Sequence, residues 1–152
     1  MNDSEFQRIR RALEGSWSAE TSFCFSPSAA PSYGHCAQTA IVIQEYCGGE
    51  ILCTTGWHGK GRHFYNRIGD ERVDFTADQF SMPGYSYELK YEDQPSSAEE
   101  ALTETWSGQI EALRAAFRRE VKSAALPLPA DRLQSPLNSY GQPPQSNPTR
   151  RR

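Results

Sequence analysis

No apolar run in this sequence approaches the roughly 18 residues that a membrane-spanning helix needs. The first residues, Met1-Asn2-Asp3-Ser4-Glu5, are polar and lack the apolar core of an export signal. The chain is therefore expected to be cytoplasmic and to engage no membrane. Basic charge is also scarce: 16 Lys and Arg stand against 19 Asp and Glu, for a formal net charge of −3. Setting aside the terminal Arg150-Arg151-Arg152 run makes the remainder more acidic still. No basic stripe interleaved with aromatics runs along it, so nucleic acid is not an expected partner. The Arg triplet reads as a solvated tail rather than a docking signal.

Cysteine is sparse and poorly spaced for metal. The four residues, Cys24, Cys36, Cys47 and Cys53, form no CxxC pair and fit no standard zinc arrangement. A reducing compartment makes disulfides improbable. No metal or other cofactor is expected. Cys47 and Cys53 flank an apolar segment and read as small buried hydrophobes. Large apolar side chains nearly vanish at the C-terminal end, where six of the ten prolines gather (Pro127, Pro129, Pro136, Pro143, Pro144, Pro148). Such a stretch cannot bury enough surface to offset the entropy of ordering. The expected organisation is one domain over 1–125 and a disordered proline-rich tail over 126–152.

Within the domain the pattern is α+β. Phe6, Ile9 and Leu13 recur at steps of three and four, which predicts a helix over 4–14. Residues 22–35 are a Ser-, Pro- and Ala-rich loop. Residues 36–47 are apolar on most sides, bounded by Gly34 before and Gly48-Gly49 after, and read as a buried central helix. Ile41, Val42 and Ile43 also suit a strand. Residues 50–55 read as a strand, as do 62–68 and 71–76, joined at Gly69-Asp70 in a tight hairpin. Residues 81–91 suggest a further strand. The last element opens at Ser97 with a capping-box spacing to Glu100. Leu102, Trp106, Ile110, Leu113 and Phe117 make it one amphipathic helix laid on the sheet, with Gly108 inside it.

The hairpin register carries further information. A two-residue loop at Gly69-Asp70 pairs Ile68 with Glu71, Tyr65 with Asp74 and His63 with Thr76. Directly opposed residues share a face. Phe64, Ile68, Val73 and Phe75 then form an apolar face, and Asn66 lies on that side. His63, Tyr65, Arg67, Arg72, Asp74 and Thr76 share the other, where His63 and Asp74 are diagonal neighbours. A slip of one residue would undo the pairing.

Cys36 follows Gly34-His35 and opens the central helix. Free N–H groups and the helix dipole there favour a thiolate. A thiolate beside an imidazole that a carboxylate orients is the machinery of acyl transfer. Cys36, His63 and Asp74 are thus the candidate nucleophile, base and orienting group. The Cys36 N–H is one candidate oxyanion donor, with the side chain of His35 or Gln79 as the second. Tyr65 and His58 are candidates to shape the substrate site, and His35 and His58 compete with His63 as base. The expected activity is a cysteine-dependent hydrolase or acyltransferase acting on an amide or peptide-type bond of a peptide, protein or small amide. The alternative is a non-catalytic peptide- or protein-binding domain with the same groove.

Five blocks carry a resemblance: Trp17-Ser18-x-Glu20-Thr21, Gly34-x-Cys36-Ala37-x-Thr39-Ala40, Gly48-Gly49-Glu50-Ile51-Leu52, His63-x-Tyr65-Asn66-Arg67 and Asp74-Phe75-Thr76-x-x-Gln79-Phe80. Together they resemble the YunG-like family of small bacterial proteins, from about residue 9 to about residue 120. In that family Gln commonly precedes the Cys; His35 stands there in this chain. The order of Cys at a helix start, then His and Asp on strands, also resembles papain-like and transglutaminase-like hydrolases more distantly. That order implies a papain-like or transglutaminase-like core, with the central helix packed on a small antiparallel sheet.

Overall fold

The side chain of Asn2 opens the first helix, α1 (Asp3–Glu14), by accepting a hydrogen bond from the Glu5 N–H at 2.9 Å. Ile9 and Leu13 face inward from α1, and Phe6 stacks on Phe75 with ring centroids 4.6 Å apart. The computed structural model describes residues 1–126. The tail expected beyond them lies outside the described residues, save Leu126, which packs into the core beside Val121 and Phe117.

The central helix, α2 (Cys36–Cys47), has the expected bounds and stops at Gly48, which takes a left-handed φ of 74°. Its β-branched run is helical because both sides of the helix find partners, and packing overrides propensity. Ala37, Ala40 and Ile41 meet Ile51, Cys53 and Phe64 of the sheet, while Val42, Ile43 and Tyr46 meet α1 and the C-terminal helix.

The sheet is small and antiparallel, in the order β3-β2-β1-β6, from β1 (Glu50–Thr55), β2 (Arg62–Ile68), β3 (Glu71–Val73) and β6 (Gln94–Ser96). Gly49 brings β1 against β2: a Cβ there would sit 2.1 Å from the Arg67 carbonyl oxygen. Asn66 turns toward the helix and donates from Nδ2 to the Ala40 carbonyl at 2.9 Å, which locks β2 to α2.

The hairpin turns at Gly69-Asp70 with Ile68 opposite Glu71, as the sequence predicts. The ladder is shorter than the expected 71–76, ending at Asn66 opposite Val73. Beyond Val73 the chain bends into a single-turn helix at Ala77–Phe80 and crosses the face that carries His63 and Tyr65. The expected strand over 81–91 is broken at Pro83-Gly84 into β4 (Ser81–Met82) and β5 (Tyr85–Ser86), which pair only with each other. The chain then zips over β1. Thr54 Oγ1 donates to the Lys90 carbonyl at 2.6 Å and accepts from the Glu92 N–H at 3.1 Å. Both faces of the sheet are therefore covered near His63.

The single C-terminal helix expected from Ser97 is two helices, α3 (Ala98–Leu102) and α4 (Gln109–Ser123). Ser97 caps α3 as expected, accepting from the Glu100 N–H at 3.1 Å. Gly108 interrupts the pattern with a φ of 84°, which cannot propagate a right-handed helix. Ile110, Leu113 and Phe117 are buried, whereas Leu102 and Trp106 are exposed, and the apolar stripe of α4 continues instead to Val121.

Candidate active site

α2 runs alongside β2, so Ala40 meets Asn66 and, at the helix start, Cys36 meets His63. Gly34 lets the chain enter that start. A Cβ at this residue, whose φ is 74°, would lie 2.6 Å from Cys24 Cβ and 2.7 Å from Ser22 Oγ. No side chain caps α2, and its first turn holds no acidic residue. The helix therefore points uncapped N–H groups and the positive end of its dipole at the thiol.

His63 is buried against three neighbours that fix its ring. Tyr65 stacks on one side at 5.9 Å, Phe80 meets it edge-on at 4.7 Å, and Asp74 Oδ2 accepts from Nε2 at 2.7 Å. Burial opposes protonation of this imidazole. Hydrogen bonds to Asp74 and then to the Cys36 sulfur, together with the negative charge each carries when ionised, outweigh burial and raise its pKa from 6.5 to about 10. Asp74 leaves the ladder one residue after Val73, and its bend lets the carboxylate reach a histidine that the register placed on the same face. Its Oδ1 accepts from Thr76 N at 2.9 Å and from Thr76 Oγ1 at 3.0 Å, while the Tyr91 hydroxyl donates to Oδ2 at 2.8 Å. Burial pushes the Asp74 carboxyl up, but His63, Thr76 and Tyr91 together hold it below its ordinary value.

Gln79 stands on the opposite side of the imidazole. Its Nε2 donates to the Thr76 carbonyl at 2.9 Å and lies 3.5 Å from His63 Nδ1. When the imidazole carries a proton on both nitrogens, the latter approach is between two donors, and the second N–H of Gln79 is left for another acceptor. The turn that carries Gln79 is anchored by Asp78. Both carboxylate oxygens of Asp78 take bonds from Arg10 of α1, at 3.0 and 2.8 Å, and Oδ1 also accepts from the Ser32 hydroxyl.

A cavity of about 200 Å³ opens on this group, lined by Cys36, His63 and Gln79 together with Cys24, Tyr33, Gly34, Gly56, Trp57, Lys60, Arg62 and Phe80. Among the described residues no cluster of three or more His, Cys, Asp and Glu has a metal-holding arrangement. A larger space, of about 650 Å³, lies between the N-terminus and β3 and is also lined by Asp74.

The other two histidines are not part of this group. The ring of His35 is fully used, with Nδ1 3.1 Å from the Tyr33 carbonyl and Nε2 2.8 Å from Thr21 Oγ1. Trp17 and Phe25 flank it, and burial lowers its pKa to about 4. It is therefore neither an oxyanion donor nor a base at Cys36. His58 is exposed on a single-turn helix with a left-handed φ of 46°, bonded to the Tyr85 hydroxyl, and does not line the Cys36 cavity. Tyr65 supports the imidazole rather than reaching the cavity. Its hydroxyl accepts from the Asp93 N–H at 2.9 Å and donates to the Cys53 carbonyl at 3.4 Å. Tyr91 was missed as a site residue because its link to Asp74 crosses an irregular segment that no periodicity marks.

A family model described as YunG protein matches residues 5–122. The chain belongs to the YunG family. A Bacillus subtilis (strain 168) protein named "Uncharacterized protein YunG" is 38% identical over 120 residues, covering 77% of this chain and 95% of that one. No solved structure matches the chain. In this member of the YunG family the residue before Cys36 is the buried, fully bonded His35, and the amide beside the imidazole is Gln79.

Proposed function

We propose that this domain is a cysteine-dependent hydrolase or acyltransferase acting on an amide or peptide-type carbonyl, with a core related to those of papain-like and transglutaminase-like enzymes. The observation that carries this reading is the buried His63 ring held between the Asp74 carboxylate and the Cys36 thiol in the lining of a cavity. A surface histidine or a packed cysteine needs no such relay.

In the proposed reaction Cys36 passes its thiol proton to His63 Nδ1, and the sulfur adds to the substrate carbonyl carbon as the carbonyl π pair moves to oxygen. The Cys36 N–H and Gln79 Nε2 are the donors for that oxyanion. The oxyanion then collapses, the C–N bond breaks, and His63 gives its Nδ1 proton to the leaving amine. The acyl group now rests on Cys36 as a thioester. Water attacks this thioester while neutral His63 takes its proton; His63 then returns that proton to the sulfur as the C–S bond breaks, which restores the thiol and releases a carboxylic acid. An amine in place of water makes the same step a transfer. Asp74 holds the imidazole in one orientation throughout and stabilises its protonated form.

The test is trapping of the acyl-enzyme. Brief exposure to a p-nitrophenyl ester should add one acyl mass at Cys36, and Cys36→Ala or His63→Ala should abolish the adduct. Turnover-free binding of peptides with no adduct at Cys36 would favour a non-catalytic binding domain instead.

A further inference from the structure

We infer that the Cys36 site takes a substrate carrying a carboxylate close to the scissile carbonyl, and that Lys60 is the cation that receives it. The inference rests on the proposed thiol chemistry and adds a substrate class to it. The chain is acidic, with 19 Asp and Glu against 16 Lys and Arg. The cavity at Cys36 is the reverse: its lining includes Lys60, Arg62 and His63 and no Asp or Glu.

Lys60 and Arg62 are not equivalent. Arg62 is already compensated, with its guanidinium 3.3 Å from Glu104 and 3.8 Å from Glu100, and it lies over the Phe64 ring. Lys60 makes no ion pair or side-chain hydrogen bond with any described residue. Its backbone is nevertheless fixed. The Lys60 N–H donates to the Trp57 carbonyl at 2.8 Å, and the Gly56 N–H closes the loop on the Gly61 carbonyl at 3.0 Å. Gly59 and Gly61 flank Lys60 with left-handed φ values of 76° and 66°, which shape the turn that brings residue 60 into the cavity lining.

Beside Lys60, Trp57 packs on Phe80 with ring centroids 4.7 Å apart. That aromatic wall offers apolar contact to the carbon skeleton of a substrate and lowers the local dielectric, so one ammonium acts more strongly there than in open water. A cavity lined by a nucleophile, an aromatic wall and an uncompensated cation fits an anionic amide better than a neutral one.

Two alkylating probes test this without a known substrate. Iodoacetate carries a carboxylate and iodoacetamide does not; with each, sulfur displaces iodide from the same carbon. The ratio of their rate constants at Cys36 cancels changes in the thiol's own reactivity. Lys60→Gln should lower the iodoacetate-to-iodoacetamide ratio about fivefold, the effect of one close unit charge in water. Lys60→Arg should restore it, molar salt should compress it, and Lys122→Gln on α4, which removes the same charge elsewhere, should leave it alone. An unchanged ratio in Lys60→Gln, with Cys36 still labelling rapidly by iodoacetamide, overturns this inference alone. Labelling of Cys36 by iodoacetamide no faster than that of Cys24 overturns the proposed thiol chemistry, and this inference with it.

Discussion

His63 Nε2 lies 2.7 Å from Asp74 Oδ2, and the same carboxylate takes three further hydrogen bonds from Thr76 and Tyr91. A buried carboxylate with that many donors stays ionised and can hold an imidazolium against the cost of burial. The linkage has two limbs. His63 titrates at about 10 in the fold against 6.5 unfolded, so its contribution is full below 6.5 and is lost as pH rises through about 10. The Asp74 carboxyl lies below its ordinary 3.8, so its contribution is full above 3.8 and is lost as pH falls through the folded value.

Asp74→Asn removes the charge and keeps the shape. The His63 midpoint, followed by NMR of the imidazole, should fall by several units from about 10. Acyl transfer should fall on the order of 10⁴-fold, as when a triad loses its orienting carboxylate. A midpoint that stays near 10 would mean that Asp74 does not govern the imidazole.

Tyr91→Phe deletes one of the four donors to Asp74 and nothing else near the cavity. It should cost about 1 kcal/mol in chemical denaturation and raise the Asp74 midpoint. A variant as stable as the parent would show that the hydroxyl is satisfied elsewhere.

Gln79→Ala separates two chemistries at one sulfur. Hydrolysis of an activated ester passes through an oxyanion, and loss of one donor should slow it by roughly 10²–10³-fold. Alkylation by iodoacetamide forms no oxyanion and should change far less. Equal losses in both reactions would place Gln79 in support of His63 rather than in the oxyanion site.

His35 sets an acid limb of its own. Its pKa is about 4 in the fold and 6.5 unfolded, so stability is full above 6.5 and lost as pH falls through about 4. The shift corresponds to about 3 kcal/mol across that window. Between 6.5 and 4 neither His63 nor Asp74 contributes slope. His35→Gln should therefore flatten the denaturation free energy there, and a parent-like slope would exclude His35 as its source.

Much of this site was legible in the sequence because strand parity is strict. Gly69-Asp70 set the hairpin and Ile68 opposite Glu71 followed, but the ladder ends at Val73, and Asp74 reaches His63 through the bend beyond it rather than from a paired strand. The bounds of α2 were equally open to reading, since glycines enclose an apolar run. The rest depended on chain that has no period. The His63 face is covered by an irregular crossing from Asp74 to Asp93, whose anchors are single hydrogen bonds such as Thr54 to Lys90. Gly108 looked tolerable inside a helical pattern because spacing does not report a positive φ. His35 looked like a site residue because sequence proximity to Cys36 does not say where a ring points; Thr21 and Tyr33 decide that.

The central claim is that Cys36 is a nucleophile activated by His63, and its reactivity tests that claim most directly. Iodoacetamide labelling, read by peptide mass at about pH 6, where an ordinary thiol is almost wholly protonated, should modify Cys36 at least tenfold faster than exposed Cys24. His63→Ala should erase the difference. Equal rates at Cys36 and Cys24 in the parent protein, or an undiminished Cys36 rate in His63→Ala, would contradict the account.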